Sequence, residues 1–393
     1  MFFLIILISC SNNETQVKKP FSIPADYLTE PESIPAFWIS TVDDVSSFLQ
    51  DNVQKGNVEV FGTSAGGRPI STVLYGSQRK GSGTTTFSGS LGFGNVKAYR
   101  GQEHSKCVYM AMGSVHGGEL EGIVGIVNLI SVLETGRDLR GKDWPEITKA
   151  ASSLDRIVLV PIMNPDGRAR IPLRMESHRD TSFIVFEYLN TGGKPDGSLI
   201  GWPQIKEFIP LDFNKTSFPG GYPNDAGVNI MHDDFFGKVQ PETRALFDLL
   251  EREKPDLVTN MHTGTSTNDY FIRMYKPFAE PALDKTFDSL YVKVHSGLAL
   301  ASLQGTKDPS VEADLTRMVL GVYNLDAAIN LHCGALSVVI ESPCHGHSGW
   351  NRAHQIVFQS PDAILDAQLT CHQEAMKFLV ETGGRSKWTP GRQ

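Results

Sequence analysis

The chain has 393 residues, 40% of them hydrophobic and 20% charged, so it can bury a large core and is neither disordered nor fibrous. Lys and Arg together number 36 against 44 Asp and Glu, which gives a formal net charge of -8. This balance excludes a protein that binds a phosphate backbone through a basic surface, so we expect no nucleic-acid partner. We also infer no obligate protein partner.

The N-terminus begins with an apolar run, Phe2 to Ile8, that is too short to span a bilayer. The LISC sequence that ends at Cys10 resembles the lipobox of bacterial lipoproteins, in which the cysteine carries the lipid. We predict an export signal over residues 1–10, with lipidated Cys10 as the only membrane contact of a periplasmic or cell-surface protein. No Lys or Arg precedes Cys10, so an incorrect start or a buried N-terminal segment stays open as the alternative.

The rest of the chain divides into a linker, one domain and a tail. Residues 11–36 contain four prolines and are predicted to be an extended tether. Over residues 37–384, strands alternate with helices, which predicts one α/β domain with a largely parallel or mixed, buried sheet. Residues 385–393 are predicted to be a C-terminal tail.

Hydrophobic periodicity places the elements of this domain. In chain order we predict a helix over 41–53, strands over 58–61 and 70–75, a surface excursion over 77–95, a strand over 107–112, a helix after residue 119, a strand over 156–163, a helix over 241–253, strands over 256–261 and 335–340, and a helix from 361 to the glycines at 383–384. The segment 62–67 spells GxSxG, but a strand follows it where a nucleophile elbow requires a helix. We therefore predict a hairpin turn in which Ser64 is no nucleophile.

Four of the predicted strands are followed by reactive polar groups at their carboxyl ends, where ligands bind in open α/β sheets. The groups are His116, residues 164–168, His262 and Glu341. Taken singly, His116 with Glu119 is also explained by a helix N-terminus that favours Glu, and His262 by a satisfied core histidine. Together, these two imidazoles and one carboxylate are the ligand set of a catalytic zinc site with an open fourth position.

Glu341 ends a strand that is otherwise strongly apolar, in the sequence VVIESP. A carboxylate at such a position is costly unless a cation or a reaction requires it. A general base that activates water beside a zinc ion meets that requirement.

These motifs together resemble the carboxypeptidase A-like zinc metallopeptidases, from about Thr41 to the last helix. The matching segments are GTSAGGRPI at 62–70, HGGE at 116–119, NPDG at 164–167, QPETRAL at 240–246, MHTG at 261–264 and ESP at 341–343. The resemblance implies a three-layer α/β/α sandwich with a mixed, mostly parallel central sheet. It also implies one Zn²⁺ ion held by His116, Glu119 and His262, with Glu341 as the general base for hydrolysis of a peptide or related amide bond.

The resemblance further implies an arginine downstream of NPDG that polarises the scissile carbonyl and stabilises the oxyanion. Arg179 fits by spacing, and Arg174 is the second choice.

The sequence departs from the family where an Asn-Arg pair grips the terminal carboxylate of the substrate. The matching stretch, 227–232, ends in Met231-His232. Met cannot donate a hydrogen bond, and His lacks the bidentate fork and permanent charge of Arg. His232 and Asn229 are therefore the candidate substrate-binding residues, and Asn229 can also accept a hydrogen bond that orients His116. Residues 212–215, with an Asn beside a Lys, are an alternative source of the pair.

The remaining cysteines, those other than Cys10, show no CxxC spacing, and one or two disulfides stay open. For Cys107 and Cys371 we favour small buried hydrophobes. The CHGH sequence at 344–347 has side chains suited to a second metal, but we favour a role in lining the rim of the site.

The function that these observations predict is a zinc-dependent hydrolase of a peptide or amide substrate, with a metallocarboxypeptidase-type exopeptidase as the default. The missing Asn-Arg pair motivates one alternative, a zinc amidase or deacylase that acts on cell-wall peptides or acyl amino acids. The other alternative is a lipid-tethered binding protein that retains the fold without catalysis.

Overall fold

The computed structural model describes residues 21–79, 106–179, 183–201, 204–207, 210–263, 271–273, 283–303, 323–347, 349–350 and 356–388. Its strands are β1 Asn57–Thr63, β2 Pro69–Gly76, β3 Val108–Gly113, β4 Arg156–Val160, β5 Leu257–Thr263, β6 Phe271–Arg273, β7 Leu336–Ser342, β8 Gly349–Trp350 and β9 Ile356–Val357. Its α-helices are α1 Val42–Asn52, α2 Glu121–Thr135, α3 Pro145–Ser152, α4 Pro165–Arg170, α5 Phe183–Thr191, α6 Gln204–Glu207, α7 Pro241–Glu253, α8 Leu283–Leu300, α9 Leu325–Cys333, α10 Pro361–Thr382 and α11 Arg385–Trp388.

The described strands form a seven-stranded sheet in the order β1-β2-β4-β3-β5-β7-β6 and a separate β8-β9 pair. The four inner strands, β4, β3, β5 and β7, run parallel to their neighbours among these four. β1 and β2 at one edge and β6 at the other pair in antiparallel fashion. The mixed, mostly parallel sheet that the sequence predicted is confirmed.

Helices cover both faces of the sheet. In β3, Tyr109 and Ala111 pack into one apolar cluster with helices α1, α2, α3, α8 and α10, whereas Met110 and Met112 pack into another with α7 and α9. Every residue of β3 is buried because successive side chains of a strand point to opposite faces and both faces are covered. This arrangement is the predicted three-layer α/β/α sandwich.

Local sequence signals fix several element ends. α10 begins where the Ser360 side chain accepts a hydrogen bond from the Ala363 amide and ends at Gly383 in the left-handed conformation. β1 and β2 form a hairpin whose strands close at the Thr63–Pro69 pair. Ser64 therefore lies in a turn, as predicted, and its hydroxyl donates to Asp166 over 2.6 Å.

The predicted linker is wrong over its described part, residues 21–36. Ala25–Leu28 forms a 3₁₀ helix, and the ring of Tyr27 meets the ring of Tyr188 edge to face at 5.3 Å. The Tyr188 hydroxyl also donates to the Ser22 carbonyl over 2.8 Å. The prolines predict an extended backbone correctly for part of this segment, but the apolar side chains between them pack against the domain.

The predicted tail is also wrong at its start. Arg385 is fully buried in α11, its amide donates to the Asp256 carboxylate over 3.0 Å, and its guanidinium donates to the Cys333 carbonyl over 3.0 Å. Asp256 immediately precedes β5 and is itself fully buried, so it needs such partners to offset desolvation. Residues 389–393 lie outside the described residues.

Some predictions fall on other parts of the chain that the structure does not describe. The predicted signal with Cys10 and most of the predicted excursion over 77–95 lie outside the described residues. Within the described residues, no helix is both long enough and apolar enough to cross a membrane. The four described cysteines are buried, and no disulfide joins any two of them.

A fully buried histidine, His372, lies on α10 in the interface with the sheet. Its Nδ1 is 2.8 Å from the Tyr109 hydroxyl, and its Nε2 has no hydrogen-bond partner among the described residues. Burial lowers the pKa of His372 to about 3. The folded protein therefore keeps this ring neutral across the mildly acidic range.

We expect this histidine to make the protein less stable as the pH falls from the ordinary histidine pKa of 6.5 toward about 3. In that window the unfolded imidazole takes up a proton that the folded one does not, so the free energy of unfolding decreases. The His372→Asn variant offers Tyr109 an acceptor that does not titrate, and it should flatten the dependence by up to about 1.4 kcal/mol per pH unit. Urea denaturation between about pH 7 and 5 measures the slopes. Equal slopes for the two proteins would contradict this assignment.

Candidate metal centre and catalytic site

The carboxyl ends of β3, β5 and β7 meet at one edge of the sheet and carry the predicted site residues. The loop between β3 and α2 contains His116 and Glu119, His262 lies in β5, and Glu341 lies in β7. The parallel register pairs His262 with Glu341. The four side chains that the sequence placed at strand ends therefore share one region of the molecule.

Glu119 lies between two imidazole rings. Its Oε1 is 2.8 Å from Nδ1 of His116, and its Oε2 is 2.8 Å from Nδ1 of His262. One ligand atom from each of the three buried residues lies within 4.8 Å of the other two. Across the described ranges this is the only such group of three His, Cys, Asp or Glu side chains, so the CHGH sequence at 344–347 forms no second one.

Charge and burial oppose each other in this group. Burial disfavours the ionised carboxylate, but the two imidazoles outweigh it and lower the pKa of Glu119. Burial lowers the pKa of His116. For His262 burial acts in the same direction, but the carboxylate of Glu119, with smaller contributions from Glu341 and Asp326, raises its pKa overall. An ionised Glu119 facing one cationic and one neutral imidazole is the resulting arrangement.

The donor set fits a zinc ion. Two imidazole nitrogens and one carboxylate leave a coordination position open, as catalytic zinc sites do. The Nε2 of His116 is 3.2 Å from the Asn229 Oδ1, which can only accept, so Nε2 carries a hydrogen and Nδ1, on the side of Glu119, is the nitrogen that a cation could take as a ligand. The residues present thus offer a cation the atoms that zinc prefers.

Asn229 begins the 3₁₀ helix that contains Met231 and His232. Its Oδ1 accepts from the Met231 amide over 3.0 Å in addition to His116. Met231 is buried, and its sulfur lies 3.8 Å from the Asn260 side-chain nitrogen. His232 is the half-buried last residue of this helix and lies three residues after Asn229, which contacts His116 directly.

The two candidate arginines lie between α4 and α5, and both contact the N-terminal segment. The Arg179 guanidinium donates to the Asp26 carbonyl, and its amide donates to the Gly346 carbonyl over 2.8 Å. The Arg174 guanidinium is exposed and lies 3.5 Å from the Glu30 carboxylate. Among the described residues, the structure gives neither guanidinium a hydrogen bond to the two histidines or Glu119.

Two residues that contact the metal centre carry no motif and were missed from the sequence. The Asn190 side-chain amide donates to Oε1 of Glu119 over 3.2 Å. The ring of Tyr222 stacks on the ring of His116, with centroids 3.7 Å apart and planes 13° from parallel. No periodicity or spacing singles out either residue, because each reaches the site only through long-range packing.

The glycines of HGGE are explained by close packing, of Gly117 against backbone and of Gly118 against the Asn190 side chain. A Cβ on Gly117 would lie 2.1 Å from the Arg168 backbone nitrogen, and one on Gly118 would lie 2.6 Å from the Asn190 Oδ1. A Cβ on Gly167, in NPDG, would lie 2.1 Å from the Gly221 carbonyl oxygen. Three loops therefore pack backbone against backbone beside His116, and side chains are excluded there by space.

Two buried carboxylates, each from a different motif, accept hydrogen bonds from the GTSAGGRPI turn. Asp166 of NPDG accepts from the Ser64 hydroxyl over 2.6 Å, from the Gly66 amide over 2.7 Å and from the Arg68 guanidinium over 2.7 Å. Glu242 of QPETRAL accepts from the Ala65 amide over 3.0 Å. The GTSAGGRPI turn is thus held from both sides, which is a structural role for motifs that carry no reactive group.

The sequence and fold identify the class of protein. The zinc carboxypeptidase family, peptidase M14, matches residues 47–314, more than half of the chain. The chain therefore belongs to this family, and it is a zinc metallohydrolase of the carboxypeptidase type that acts on peptide substrates. The family match ends before Glu341. No curated protein matches the chain in sequence.

Solved structures agree on the fold. The metallo-carboxypeptidase from Burkholderia cenocepacia is 14% identical, with a TM-score of 0.51 over 86% of this chain and 68% of that one. The metallo-carboxypeptidase from Pseudomonas aeruginosa, solved in complex with (2-guanidinoethylmercapto)succinic acid, is 13% identical, with a TM-score of 0.51 over 86% of this chain and 69% of that one. The predicted family and fold class are confirmed, and the comparisons do not favour the amidase, deacylase or binding-protein alternatives.

Proposed function

We propose that this protein is a metallocarboxypeptidase-type exopeptidase in which His116, Glu119 and His262 hold one zinc ion and Glu341 is the general base. The observation that carries this proposal is the position of Glu119, whose two oxygens each lie 2.8 Å from an imidazole nitrogen. When bound, zinc would polarise the scissile carbonyl and acidify water. The chain's own residues orient the ligands and move the proton.

The surroundings of Glu341 support its proposed role as the base that accepts a proton from water. It is half-buried and lies directly across the strand pair from His262, and its charge influences both His262 and Tyr222. A carboxylate at this position can accept a proton from an attacking water and return it to the leaving amine.

Arg179 remains the candidate for the oxyanion. Its guanidinium donates to the Asp26 carbonyl, a neutral acceptor that a charged oxygen can replace. In this proposal Arg179 exchanges the carbonyl of the N-terminal segment for the oxygen of the substrate carbonyl as negative charge develops there.

Replacing Glu341 by Gln should abolish most turnover without releasing zinc. The amide keeps the size and polarity of the side chain but cannot accept the proton, so we expect kcat to fall by about 10²–10⁴-fold. Peptide hydrolysis and the zinc content of the purified protein are the two measurements.

The matched control is Glu374→Gln. Glu374 is also a buried carboxylate, but it lies on α10, where it forms an ion pair with Lys377 over 2.9 Å. This variant should keep its kcat. Turnover by the Glu341→Gln protein at the parent rate would show that Glu341 is not the base.

Recognition of the substrate's free carboxylate is assigned to His232, because Met231 is buried and donates nothing. The protein should cleave a peptide with a free C-terminus faster than the same peptide with an amidated one. In the His232→Ala variant we expect KM for the free-acid peptide to rise by about tenfold or more, the value of a hydrogen bond to a charged group.

His232→Arg should preserve the preference, and Lys238→Ala controls for the loss of an exposed basic side chain on the following loop. If the parent protein hydrolyses both peptides equally well, it does not read the carboxylate end. An amidase-type activity would then account better for the Met231-His232 replacement.

We also propose that the protein is exported and anchored through a lipid on Cys10. The support is the apolar run at Phe2 to Ile8 and the LISC sequence. In a bacterial host, the full chain should incorporate labelled fatty acid and sediment with membranes, and Cys10→Ser should do neither. Cys107→Ser, which alters a buried thiol, is the control. Fatty-acid labelling that survives Cys10→Ser would refute the anchor.

A further inference from the structure

The C-terminal end of α5 contacts the metal centre through Asn190. This side chain is 1% exposed, and its Nδ2 donates to Oε1 of Glu119 over 3.2 Å. The backbone carbonyl of Asn190 accepts from the amides of Gly221 over 2.9 Å and Tyr222 over 3.0 Å. Asn190 therefore holds both the Glu119 carboxylate and the loop that contains Gly221 and Tyr222.

Tyr222 extends this contact to the first histidine. Its ring covers the face of the His116 imidazole at a centroid distance of 3.7 Å, and its hydroxyl interacts electrostatically with the Glu119 carboxylate. Burial, with the negative charge of Glu119, raises the pKa of Tyr222 well above its ordinary value, as expected of a hydroxyl close to this carboxylate.

Both oxygens of Glu119 consequently receive a hydrogen bond from an amide. Asn190 donates to Oε1, and the Thr263 backbone amide donates to Oε2 over 3.1 Å. These two donors fix the plane of the carboxylate independently of the imidazoles. A ligand that is already oriented loses less conformational freedom when a cation binds.

Asn190 is held in place with little freedom of its own. Its Oδ1 would lie 2.6 Å from a Cβ on Gly118, so the loop closes against the amide, and this Oδ1 has no hydrogen-bond partner among the described residues. A buried unpaired acceptor is costly, and an apolar side chain would avoid that cost. An asparagine at this position nevertheless supplies the Nδ2 donor that binds Glu119.

We propose that Asn190 and Tyr222 are a positioning pair that holds Glu119 and His116 in ligand geometry and thereby sets the affinity of the site for zinc. The inference rests on the proposed function, since it assumes that these two residues bind the metal. The adjacent residue, Thr191, shows the contrast. It is equally buried, but its hydroxyl bonds only to backbone groups of Glu187 and Gly201.

The experiment compares Asn190→Ala, Tyr222→Phe and Thr191→Val in the otherwise intact chain. Zinc affinity is measured by competition with a chelator, and the melting temperature of each protein is measured with and without zinc. We expect Asn190→Ala to weaken zinc binding by about 10–100-fold and to reduce the stabilisation that zinc confers. Tyr222→Phe keeps the stacked ring and loses only the hydroxyl, so its loss should be smaller but in the same direction.

Thr191→Val removes both hydrogen bonds of the neighbouring hydroxyl and should leave zinc affinity at the parent value. A further readout is the visible spectrum of the cobalt-substituted protein, which reports the ligand geometry. This spectrum should change in Asn190→Ala and should not change in Thr191→Val. A purely structural role for Asn190 would lower the melting temperature equally with and without metal.

The inference is overturned if Asn190→Ala and Tyr222→Phe both bind zinc as tightly as the parent and the cobalt spectrum of Asn190→Ala is unchanged. If Asn190→Ala does not fold, Tyr222→Phe decides the question by itself. A parent protein that binds no zinc would instead refute the proposed function, so the two failures are distinguishable.

Discussion

The arrangement of the site depends on one buried carboxylate held between two imidazoles. Glu119 is 2% exposed, and the two imidazoles that face it from both sides, His116 and His262, are the main groups that offset its charge at that depth. The parallel pairing of β3 and β5 makes this contact possible, because it brings Glu119 beside His262, more than a hundred positions away in the chain. In the structure the two imidazoles offset this charge, and in the proposed function they would also hold the metal ion.

The loops around this carboxylate are held by groups that take no part in chemistry. Gly117 and Gly167 allow backbones to approach where a Cβ would collide, and Asp166 and Glu242 accept hydrogen bonds from the hairpin turn at 64–68. A catalytic site needs its ligands held to within a fraction of an ångström, and close backbone packing achieves this better than mobile side chains do. Several residues of the family motifs therefore have packing roles, whereas others carry the reactive groups.

Most of the fold could be predicted from the sequence because its signals are local. β3 and β7 are apolar runs followed by polar residues, and α10 has a Ser-Pro start and a glycine end, so their positions follow from neighbours in the chain. The convergence of the three candidate ligands was predicted for a related reason, since parallel strands end at one edge. The site's supporting residues could not be predicted in this way. Asn190 and Arg385 act across 71 and 129 positions, and no local pattern encodes such contacts.

The replacement of the family's Asn-Arg pair has a structural reason in the short helix that begins at Asn229. The Asn229 Oδ1 is already shared between His116 and the Met231 amide, so it is committed to orienting the His116 ring. Met231 contacts Asn260, which in turn donates to Asp326 over 3.0 Å, so the space beneath this helix holds a buried acidic group. A thioether fills such a space without leaving a charge unpaired. Of the last two residues of the helix, only His232 has a side chain that can donate a hydrogen bond, so in the proposed function a single imidazole would take the place of the paired amide and guanidinium at the substrate's end.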